Sequence, residues 1–436
     1  MVRRFHGGVH PPEEKSRTEQ SAITDFPIPK QAVVPLQQHI GAPAKACVEV
    51  GAVVRKGQLI GEAGGFVSAA IHAPIGGTVK SIAPHPHCLG VPVQSITIEG
   101  SGDEEWADGT NVERDLSALD AKAVRDAVAA AGIVGMGGAT FPTHVKLSPP
   151  EGKPIDTLIV NGAECEPCLT ADDRQMVEEA EKVLRGAAFM RLALGCGRTL
   201  VGIEDNKPAA LEAMTKAAAL QGDVEVVPLH VRYPQGGEKQ LIQALLGREV
   251  PSGGLPLDVG VVVHNVGTCA AADDAVRLSR PLIERVVTVT GECAERAGNY
   301  RIRVGTLLSD VIEHVGVKGR MDQIILGGPM MGLAQPSTEI PLTKGTSGVL
   351  LTREAPRGPS LACIRCGRCV DACPVGLTPS RLSTLLEEDL IEEAAGWNLT
   401  DCIECGCCAY VCPSMRPIVQ QAKYGKARLQ ELKAKK

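Results

Sequence analysis

Apolar and polar positions change their period several times along the chain, and each change predicts a different kind of structure. In the N-terminal part, rich in Val, Gly and Pro, the segments 47–61 and 73–79 alternate as strands joined by tight turns do. Farther on, apolar strand-like segments alternate with helical ones, which indicates a mostly parallel sheet covered by helices. The pattern therefore predicts a multidomain α/β protein.

The alternating region is expected between residues 115 and 280. Its strands are predicted at Thr157–Val160, Thr199–Glu204, Val224–His230 and Gly260–His264, and its helices at Ala118–Ala131, Arg174–Leu194, Pro208–Leu220, Glu238–Leu246 and Thr268–Ser279. Strands at Val286–Thr290 and Tyr300–Val304, followed by a helix at Leu307–Val315, fit a small β-grasp-like module at 281–350. A Pro-rich joint at Ala355–Pro359 opens the last module, residues 355–436.

The N-terminal module, residues 1–105, resembles the barrel-sandwich hybrid fold of lipoyl and biotinyl carriers. Carriers of that fold present a modifiable Lys at a hairpin tip, whereas the tip here, at 64–69, reads Gly-Gly-Phe-Val-Ser-Ala. We therefore expect the fold without the swinging arm, and a docking role for the module. His85, His87 and Cys88 lie close together, but nothing completes a ligand set, so a plain loop is expected there.

Composition and charge narrow the class of protein. The net charge of -6 over 436 residues gives no reason to expect nucleic-acid binding. No uninterrupted apolar run is long enough for a membrane-spanning helix, and the segment Met1–Pro12 lacks the apolar stretch of a secretory signal. Half of the 16 cysteines fall in two clusters, which indicates metal binding in a reducing compartment.

The two cysteine clusters both read C-x-x-C-x-x-C-x-x-x-C-P, the second repeating the first at an offset of 39 residues. Zinc sites usually show two separated C-x-x-C pairs, whereas this spacing is that of bacterial two-cluster ferredoxins, in which the fourth Cys binds the other cluster. Zinc or structural thiols remain the alternative. We therefore predict two [4Fe–4S] clusters, the first held by Cys363, Cys366, Cys369 and Cys412, and the second by Cys373, Cys402, Cys405 and Cys408.

Between the two cysteine runs the pattern predicts one helix, capped by Thr378 and Pro379, with an apolar stripe of Leu382, Leu385, Leu386 and Leu390. One long helix at this place resembles the α-helical ferredoxin arrangement of respiratory enzymes. Cys407 is left over, either as a surface thiol or as an alternative ligand. The tail from Lys423 to Lys436 is basic and is either a solvated helix end or a contact with a partner or an anionic membrane surface.

A glycine-rich segment at 135–147 reads Gly-Met-Gly-Gly-Ala-Thr-Phe-Pro-Thr-His-Val-Lys-Leu. It lacks the Walker A spacing, and because it follows a helix it also lacks the context of a Rossmann fingerprint. Successive backbone N–H groups of Gly135, Gly137 and Gly138 can form a nest for a phosphate, to which Lys146 adds positive charge. The alternative is an ordinary joint between a helix and a strand.

Three further segments accompany this loop: Asn-Gly-Ala-Glu-Cys-Glu-Pro at 161–167, Tyr-Pro-Gln-Gly-Gly-Glu-Lys at 233–239 and His-Asn-Val-Gly-Thr at 264–268. Together they resemble the flavin- and NADH-binding subunit of respiratory complex I, which implies a Rossmann-like domain for FMN and NAD(H) at 115–280. The resemblance assigns the cofactor contacts to Gly135, Gly137, Gly138, Lys146, Asn161, Glu164 and Asn265, and the nicotinamide end to Glu166 and Glu238. The sequence departs from that family at Ala163 and Gly237, where the family has Asp and Glu.

A second resemblance covers nearly the whole chain. The N-terminal segment 5–15, the loop ending at Leu147, the segments 164–167 and 169–174 and the two cysteine runs are similar to the C subunit of the Rnf ion-translocating electron-transport complex. That family implies an electron-transfer subunit of a ferredoxin:NAD oxidoreductase, placed peripherally on the cytoplasmic face of the cell membrane with the other subunits of the complex. It also implies that electrons pass between NAD(H), FMN and the two clusters to drive ion translocation.

Two rival functions stay open. The first is a soluble flavin and iron–sulfur reductase of a cobalamin-type acceptor. The second is a relay that keeps the clusters and has lost the flavin site, as Ala163 and Gly237 suggest. Cys165 and Cys168 form a C-x-x-C with a Glu-Pro insert, a pattern expected to be structural rather than catalytic.

Overall fold

The computed structural model describes residues 4–353 and 358–434. Within these residues the chain forms a β-rich N-terminal part, a parallel sheet between helices, a mixed sheet and a helical C-terminal part. The Pro-rich joint predicted at Ala355–Pro359 lies for the most part outside the described residues.

The N-terminal part is built from short strands in two small sheets, ordered β2-β8-β7-β4 and β3-β5-β6. Val34, Ile60 and Ile96 are fully buried between these sheets, because side chains of alternating strand positions point to one common core. The strands of these two sheets are β2 (Gln31–Pro35), β3 (Lys45–Ala46), β4 (Val53–Val54), β5 (Leu59–Glu62), β6 (Ile71–His72), β7 (Gly77–His85) and β8 (Val93–Gly100). Strand β1 (Ile23–Asp25) precedes them in the chain and belongs to the six-stranded sheet of the third part.

The second part contains one sheet in which all four strands are parallel, as the alternating pattern predicted, in the order β11-β10-β9-β12. Helices cover both faces: Leu158 and Val160 face one apolar core, and Ile159 faces the other. The elements are α1 (Ala121–Ala130), α2 (Thr143–Lys146), β9 (Thr157–Gly162), α3 (Ala171–Glu178), α4 (Ala180–Leu194), β10 (Arg198–Glu204), α5 (Pro208–Ala218), β11 (Val224–Leu229), α6 (Glu238–Leu246), β12 (Val261–Asn265) and α7 (Val266–Leu278).

The single helix predicted at Arg174–Leu194 is wrong, because the structure divides it into α3 and α4 at Glu179. The backbone of Glu179 leaves the helical region, with φ -126° and ψ 28°. Its carboxylate accepts hydrogen bonds from Gln175 at 2.7 Å and from Arg301 at 2.8 Å. A contact with another module therefore overrides the local helical pattern.

The third part is a six-stranded mixed sheet in the order β1-β14-β13-β17-β15-β16, with α8 packed on one face. Strand β1 comes from the N-terminal part of the sequence and pairs in parallel with β14. The elements are β13 (Glu284–Thr290), β14 (Gly298–Arg303), α8 (Leu308–Val315), β15 (Gln323–Leu326), β16 (Leu333–Gln335) and β17 (Gly348–Thr352).

The C-terminal part is helical, but the single helix predicted between the cysteine runs is wrong. Two helices stand there, separated at Asp389, whose φ is 54°, and Leu390 is exposed instead of extending the apolar stripe. Glu387 and Glu388 lie at the negative end of the first helix dipole, which disfavours its continuation. The helices are α9 (Arg368–Asp371), α10 (Pro379–Glu387), α11 (Ile391–Gly396), α12 (Cys407–Tyr410) and α13 (Ile418–Ala434).

Candidate functional site: a crevice at the sheet edge and a cysteine-lined cavity

The parallel sheet reverses its strand order between β9 and β12. From β9 the chain builds outward through β10 and β11, and then returns to place β12 on the other side of β9. Ligands of open parallel sheets bind at such a switch point, beyond the carboxyl ends of the strands. Asn161 at the end of β9 and Asn265 at the end of β12 are neighbours in this ladder, so two predicted site residues lie together at the crevice.

The glycine-rich loop lies against Asn265. A Cβ atom on Gly137 would be 3.4 Å from the Cβ atom of Asn265, while one on Gly138, whose φ is 110°, would meet nothing within 4 Å. The amide of Met136 donates to Thr268 at 2.9 Å, which fixes the loop on α7. Among the described residues, no protein group accepts a hydrogen bond from the exposed N–H groups of Gly137 and Gly138. This open cradle fits an anionic group.

The Lys146 side chain joins the loop to the start of α6. Its Nζ atom donates to Glu238 at 2.7 Å and to the carbonyl oxygen of Val263 at 2.8 Å. Asn161 donates to the carbonyl oxygen of Gly236 at 2.9 Å, so the segment before α6 is held at the end of β9. The structure therefore brings together the predicted residues Lys146, Asn161, Glu238 and Asn265.

Asp172 belongs to the same site although no role was predicted for it. It accepts a hydrogen bond from the Asn265 amide at 2.7 Å, and burial, reinforced by the nearby Glu164, raises its pKa to about 7. Asp172 also lines a cavity of about 60 Å³ behind the loop, together with Met136 and Arg285. The only sequence signal was its place in the segment 169–174.

The carboxylates of Glu164 and Glu166 both accept hydrogen bonds from backbone N–H groups. The carboxylate of Glu164 accepts the N–H groups of Asp172 at 2.7 Å and Asp173 at 3.1 Å, and so caps α3. That of Glu166 accepts the N–H groups of Met330 at 3.0 Å and Met331 at 2.9 Å, and burial raises its pKa to about 7. In this structure both carboxylates organise loops.

Lys15 is a second functional residue that the sequence did not single out. Its buried Nζ atom donates to the carbonyl oxygens of Glu164 and Glu166, each at 3.0 Å, and to that of Leu169. The segment 5–15 thus holds the loop that carries both glutamates. Its place in the family-like N-terminal segment was the only signal for this contact.

Cys165 and Cys168 have structural surroundings. The Cys165 sulfur accepts the N–H of Gly236 at 3.2 Å, and the amide of Cys168 donates to the carbonyl of Glu13 at 2.8 Å. Burial raises the pKa of the Cys165 thiol far above its usual range and that of Cys168 to about 11. Protonated thiols are poor nucleophiles, which agrees with the structural interpretation.

A cavity of about 30 Å³ lies in the C-terminal part, lined by Cys373, Cys402, Cys405 and Cys408. Those are the four residues of the second predicted ligand set, including the crossed Cys373. Among the described residues, no three His, Cys, Asp or Glu side chains are grouped to hold a single metal ion. Cys407 is fully buried, so the suggestion that it is a surface thiol is wrong.

Two hydrogen bonds join the segment beside the sheet-edge crevice to the backbone of residues that line the cysteine cavity. Tyr233 donates through its hydroxyl to the carbonyl of Cys405 at 2.7 Å, and Gln240 on α6 donates to that of Pro374 at 3.1 Å. A side chain on Gly237 would collide with Gln240, its Cβ lying 2.4 Å from the Gln240 oxygen. The departure at Gly237 therefore makes room for this contact between modules.

Four family models match the chain in succession. They are the RnfC barrel sandwich hybrid domain at 3–103, the Nuo51 FMN-binding domain at 128–274, the SLBB domain at 286–334 and the 4Fe-4S dicluster domain at 358–413. Fold, crevice and cysteine cavity thus define an electron-transfer protein of the flavin and iron–sulfur class.

Curated relatives give the family. The chain is 49% identical over 432 residues to the C subunit of the proton-translocating ferredoxin:NAD(+) oxidoreductase complex of Clostridium ljungdahlii, covering 98% of this chain and 94% of the relative. It is 42% identical to the C subunit of the Na(+)-translocating complex of Acetobacterium woodii, over 91% and 90% of the two chains. The chain belongs to the family of C subunits of the Rnf ion-translocating oxidoreductase complexes.

A solved structure adds support for the fold alone. The NAD+-reducing [NiFe]-hydrogenase in its H2-reduced state is similar with a TM-score of 0.50 at 22% identity, over 70% of this chain and 63% of that chain. Within residues 4–353 and 358–434, no helix is long and apolar enough to cross a membrane.

Proposed function

We propose that the chain carries electrons between NAD(H), FMN and two [4Fe–4S] clusters, as the C subunit of a membrane-bound ferredoxin:NAD oxidoreductase complex that translocates ions. Two hydrogen bonds carry the proposal: Tyr233 and Gln240 flank Gly236, which Asn161 holds at the end of β9, and they bond to the backbone of Cys405 and Pro374 at the cysteine-lined cavity. This short segment connects the proposed two-electron site to the proposed one-electron site. FMN exchanges electrons in pairs with NAD(H) and singly with iron–sulfur clusters when it is bound.

Within a Rossmann-like domain at 115–280, the residues of the crevice fit FMN. The N–H groups of Gly137 and Gly138, for which the described residues provide no acceptor, suit an anionic phosphate in the loop that begins at Gly135, and Lys146 supplies a cation from the same segment. Asn161 and Asn265 fix the two strand ends that form the floor. At position 163 the complex I family has Asp, whereas this chain has a fully buried Ala and therefore lacks that carboxylate.

Glu238 sets the charge at the nicotinamide end of the crevice. It is the first residue of α6 and is held by Lys146, which leaves part of its carboxylate open to solvent. Hydride transfer to a flavin needs no protein acid or base, so Glu238 orients the nucleotide and does not exchange protons. Glu166 holds the loop at Met330 and Met331 by accepting hydrogen bonds from their N–H groups.

The cysteines are proposed to hold the clusters in crossed sets. Cys363, Cys366 and Cys369 share one cluster with Cys412, and Cys402, Cys405 and Cys408 share the other with Cys373. The second set contacts the flavin module through Tyr233, whereas Cys366 of the first set is exposed. The second set therefore lies on the inner side of the relay and the first set on the side of the partner subunits.

Acid extraction of anaerobically purified protein separates the proposal from the rival without flavin. We expect about eight iron atoms and one FMN for each chain. Iron without flavin would support a relay that has lost its flavin site, and zinc in place of iron would remove the cluster assignment.

Reduction of the bound flavin by NADH in stopped flow tests the nucleotide site. Glu238→Ala is expected to slow this reduction at least tenfold, because it frees Lys146 and removes the carboxylate that orients the nucleotide. Glu181→Ala is the matched control, since it removes an ion pair with Arg185 on the surface of α4. Equal rates in the two variants would take Glu238 out of the site.

We propose that this chain has four modules, at 1–105, 115–280, 281–350 and 355–436. We also propose that it binds its partner subunits peripherally on the cytoplasmic face of the membrane. The basic helix α13 is part of this proposal, although Lys426 already binds Glu404 and the carbonyl of Cys402. Salt is expected to loosen the association, because exposed charges are screened over about 10 Å at 0.1 M ionic strength. Membrane fractionation of cells that express all subunits tests it; protein that stays soluble at low salt would favour the cobalamin-type reductase.

A further inference from the structure

The hairpin tip of the N-terminal module packs along the glycine-rich segment. Ala70 lies so close to Gly132 that a Cβ atom there would be 2.1 Å from the Ala70 oxygen, and the buried Lys344 donates to both carbonyls at 2.8 Å. At the other end of the segment, His144 donates to the carbonyl of Phe66 at 3.0 Å. The tip therefore contacts the loop at both of its ends, at residues 132 and 144.

The tip is rigid. Ser68 accepts the N–H of Gly64 and donates to the carbonyl of Ala42, each at 2.8 Å. The amide of Ala69 donates to His39 at 3.1 Å. These internal bonds hold the tip in one shape, so a side chain projecting from it occupies a defined position.

Phe66 projects from this tip with 66% of its surface exposed. The ring stands edge to face with His144, the two centroids 5.9 Å apart. His144 belongs to α2, which also carries Lys146, and the ring of His144 faces the tip while the Lys146 amine faces Glu238. A solvent-exposed aromatic ring therefore lies against His144, in the segment that also carries the open glycine loop.

We propose that Phe66 and His144 form the subsite for the purine base of the dinucleotide, so that a second module completes the NAD(H) site. An exposed aromatic face offers stacking to a planar base, and the neighbouring His144 fixes its orientation. The tip occupies the position at which carriers hold their modified Lys, and here it presents an aromatic ring instead. This inference rests on the proposed NAD(H) site and names its base-binding residues.

The test compares NADH with reduced nicotinamide mononucleotide, which lacks the purine, as donors to the bound flavin. Phe66→Ala is expected to raise the KM for NADH about tenfold with little change in kcat, and to leave the mononucleotide unaffected. Phe66→Trp keeps an aromatic ring at this position, so its KM for NADH should stay close to that of the wild-type protein. Leu89→Ala is the matched control, because Leu89 is equally exposed on the turn between β7 and β8 of the same module.

His144→Ala is expected to produce a smaller effect of the same kind, since it releases the carbonyl of Phe66. If Phe66→Ala changes both donors by one factor, or neither, the inference is overturned while the NAD(H) site stands. If wild-type flavin accepts electrons from dithionite but from neither nucleotide, the NAD(H) site itself is wrong, and the purine subsite falls with it.

Discussion

The two cysteine runs have the same spacing and nearly the same backbone, yet they face different surroundings. Arg365 and Glu404 occupy equivalent positions with φ of 54° and 58°, and Gly367 and Gly406 follow with φ of 79° and 82°. Each glycine opens a four-residue helix, α9 or α12. The repeat therefore predicts the local fold of both runs equally well.

What differs is the environment of the residues between the ligands. A Cβ atom on Gly367 would meet nothing within 4 Å, whereas one on Gly406 would be 3.0 Å from the carbonyl of Met330. Arg368 is exposed, while Cys407 at the equivalent position is fully buried near the Tyr233 carbonyl. The ligand spacing is the same in both runs, and the residues between the ligands differ in their contacts: Gly406 lies against the 281–350 module and Cys407 against the flavin module.

The largest effect is expected from replacing each of the two crossed cysteine ligands by Ser. Cys373→Ser should remove the second cluster and keep the first, because Cys373 lines the cavity of Cys402, Cys405 and Cys408. Cys412→Ser should do the opposite. Iron content and the EPR spectra of the reduced variants distinguish the outcomes; loss of the first cluster in Cys373→Ser would show that each run binds its own cluster.

Electron transfer should be interrupted at different points in the two runs. In Cys405→Ser, NADH is expected to reduce the flavin but no longer the first cluster, since we propose that the second set lies between them. In Cys366→Ser the second cluster should still become reduced. Freeze-quench EPR measures both, and continued reduction of the first cluster in Cys405→Ser would reverse the proposed order.

A smaller effect is expected from the two glycines. Gly367→Ala should cost about 1 kcal/mol, the strain of a positive φ in a residue with a Cβ atom. Gly406→Ala should cost about 2 kcal/mol, because the same strain is joined by a tight approach of 3.0 Å to the carbonyl of Met330. Denaturation followed by cluster absorbance compares the variants, and equal losses would mean that Met330 does not constrain the second run.

The smallest effect concerns one hydroxyl group. Tyr233→Phe leaves the buried carbonyl of Cys405 without its donor, at a cost of about 1 kcal/mol, and should change the midpoint potential of the second cluster alone. Tyr410→Phe serves as the control, because Tyr410 is half exposed. EPR-monitored redox titration decides; a change in the first cluster instead would disprove the contact's local role.

Periodicity and spacing predicted the parallel sheet, the α6 helix and the repeated cysteine runs, because each depends on contacts within a short segment. The convergence of Lys146, Asn161, Glu238 and Asn265 was implied by a family resemblance and agrees with the geometry of the sheet edge. No spacing rule alone would have brought Lys146 to Glu238, since these residues lie on separate helices.

Contacts between modules account for what the sequence did not predict. Glu164 has a φ of 43°, and its carboxylate accepts hydrogen bonds from the start of α3. Glu179 leaves the helix to meet Arg301, and Lys15 reaches three distant carbonyls. Such partners are far apart in the chain, so local pattern carries no information about them.

The N-terminal segment also constrains the order in which the protein can be assembled. Gly8 donates to the carbonyl of Ala372, and Gly7 approaches the Cys373 carbonyl so closely that a Cβ atom would be 2.5 Å away. Because the ribosome makes the amino terminus first, these residues wait for their partners until almost the whole chain has been synthesised. The contact of Gly7 and Gly8 with residues 372 and 373 therefore forms after the partners of Lys15 and Val9 in the same segment have already been synthesised.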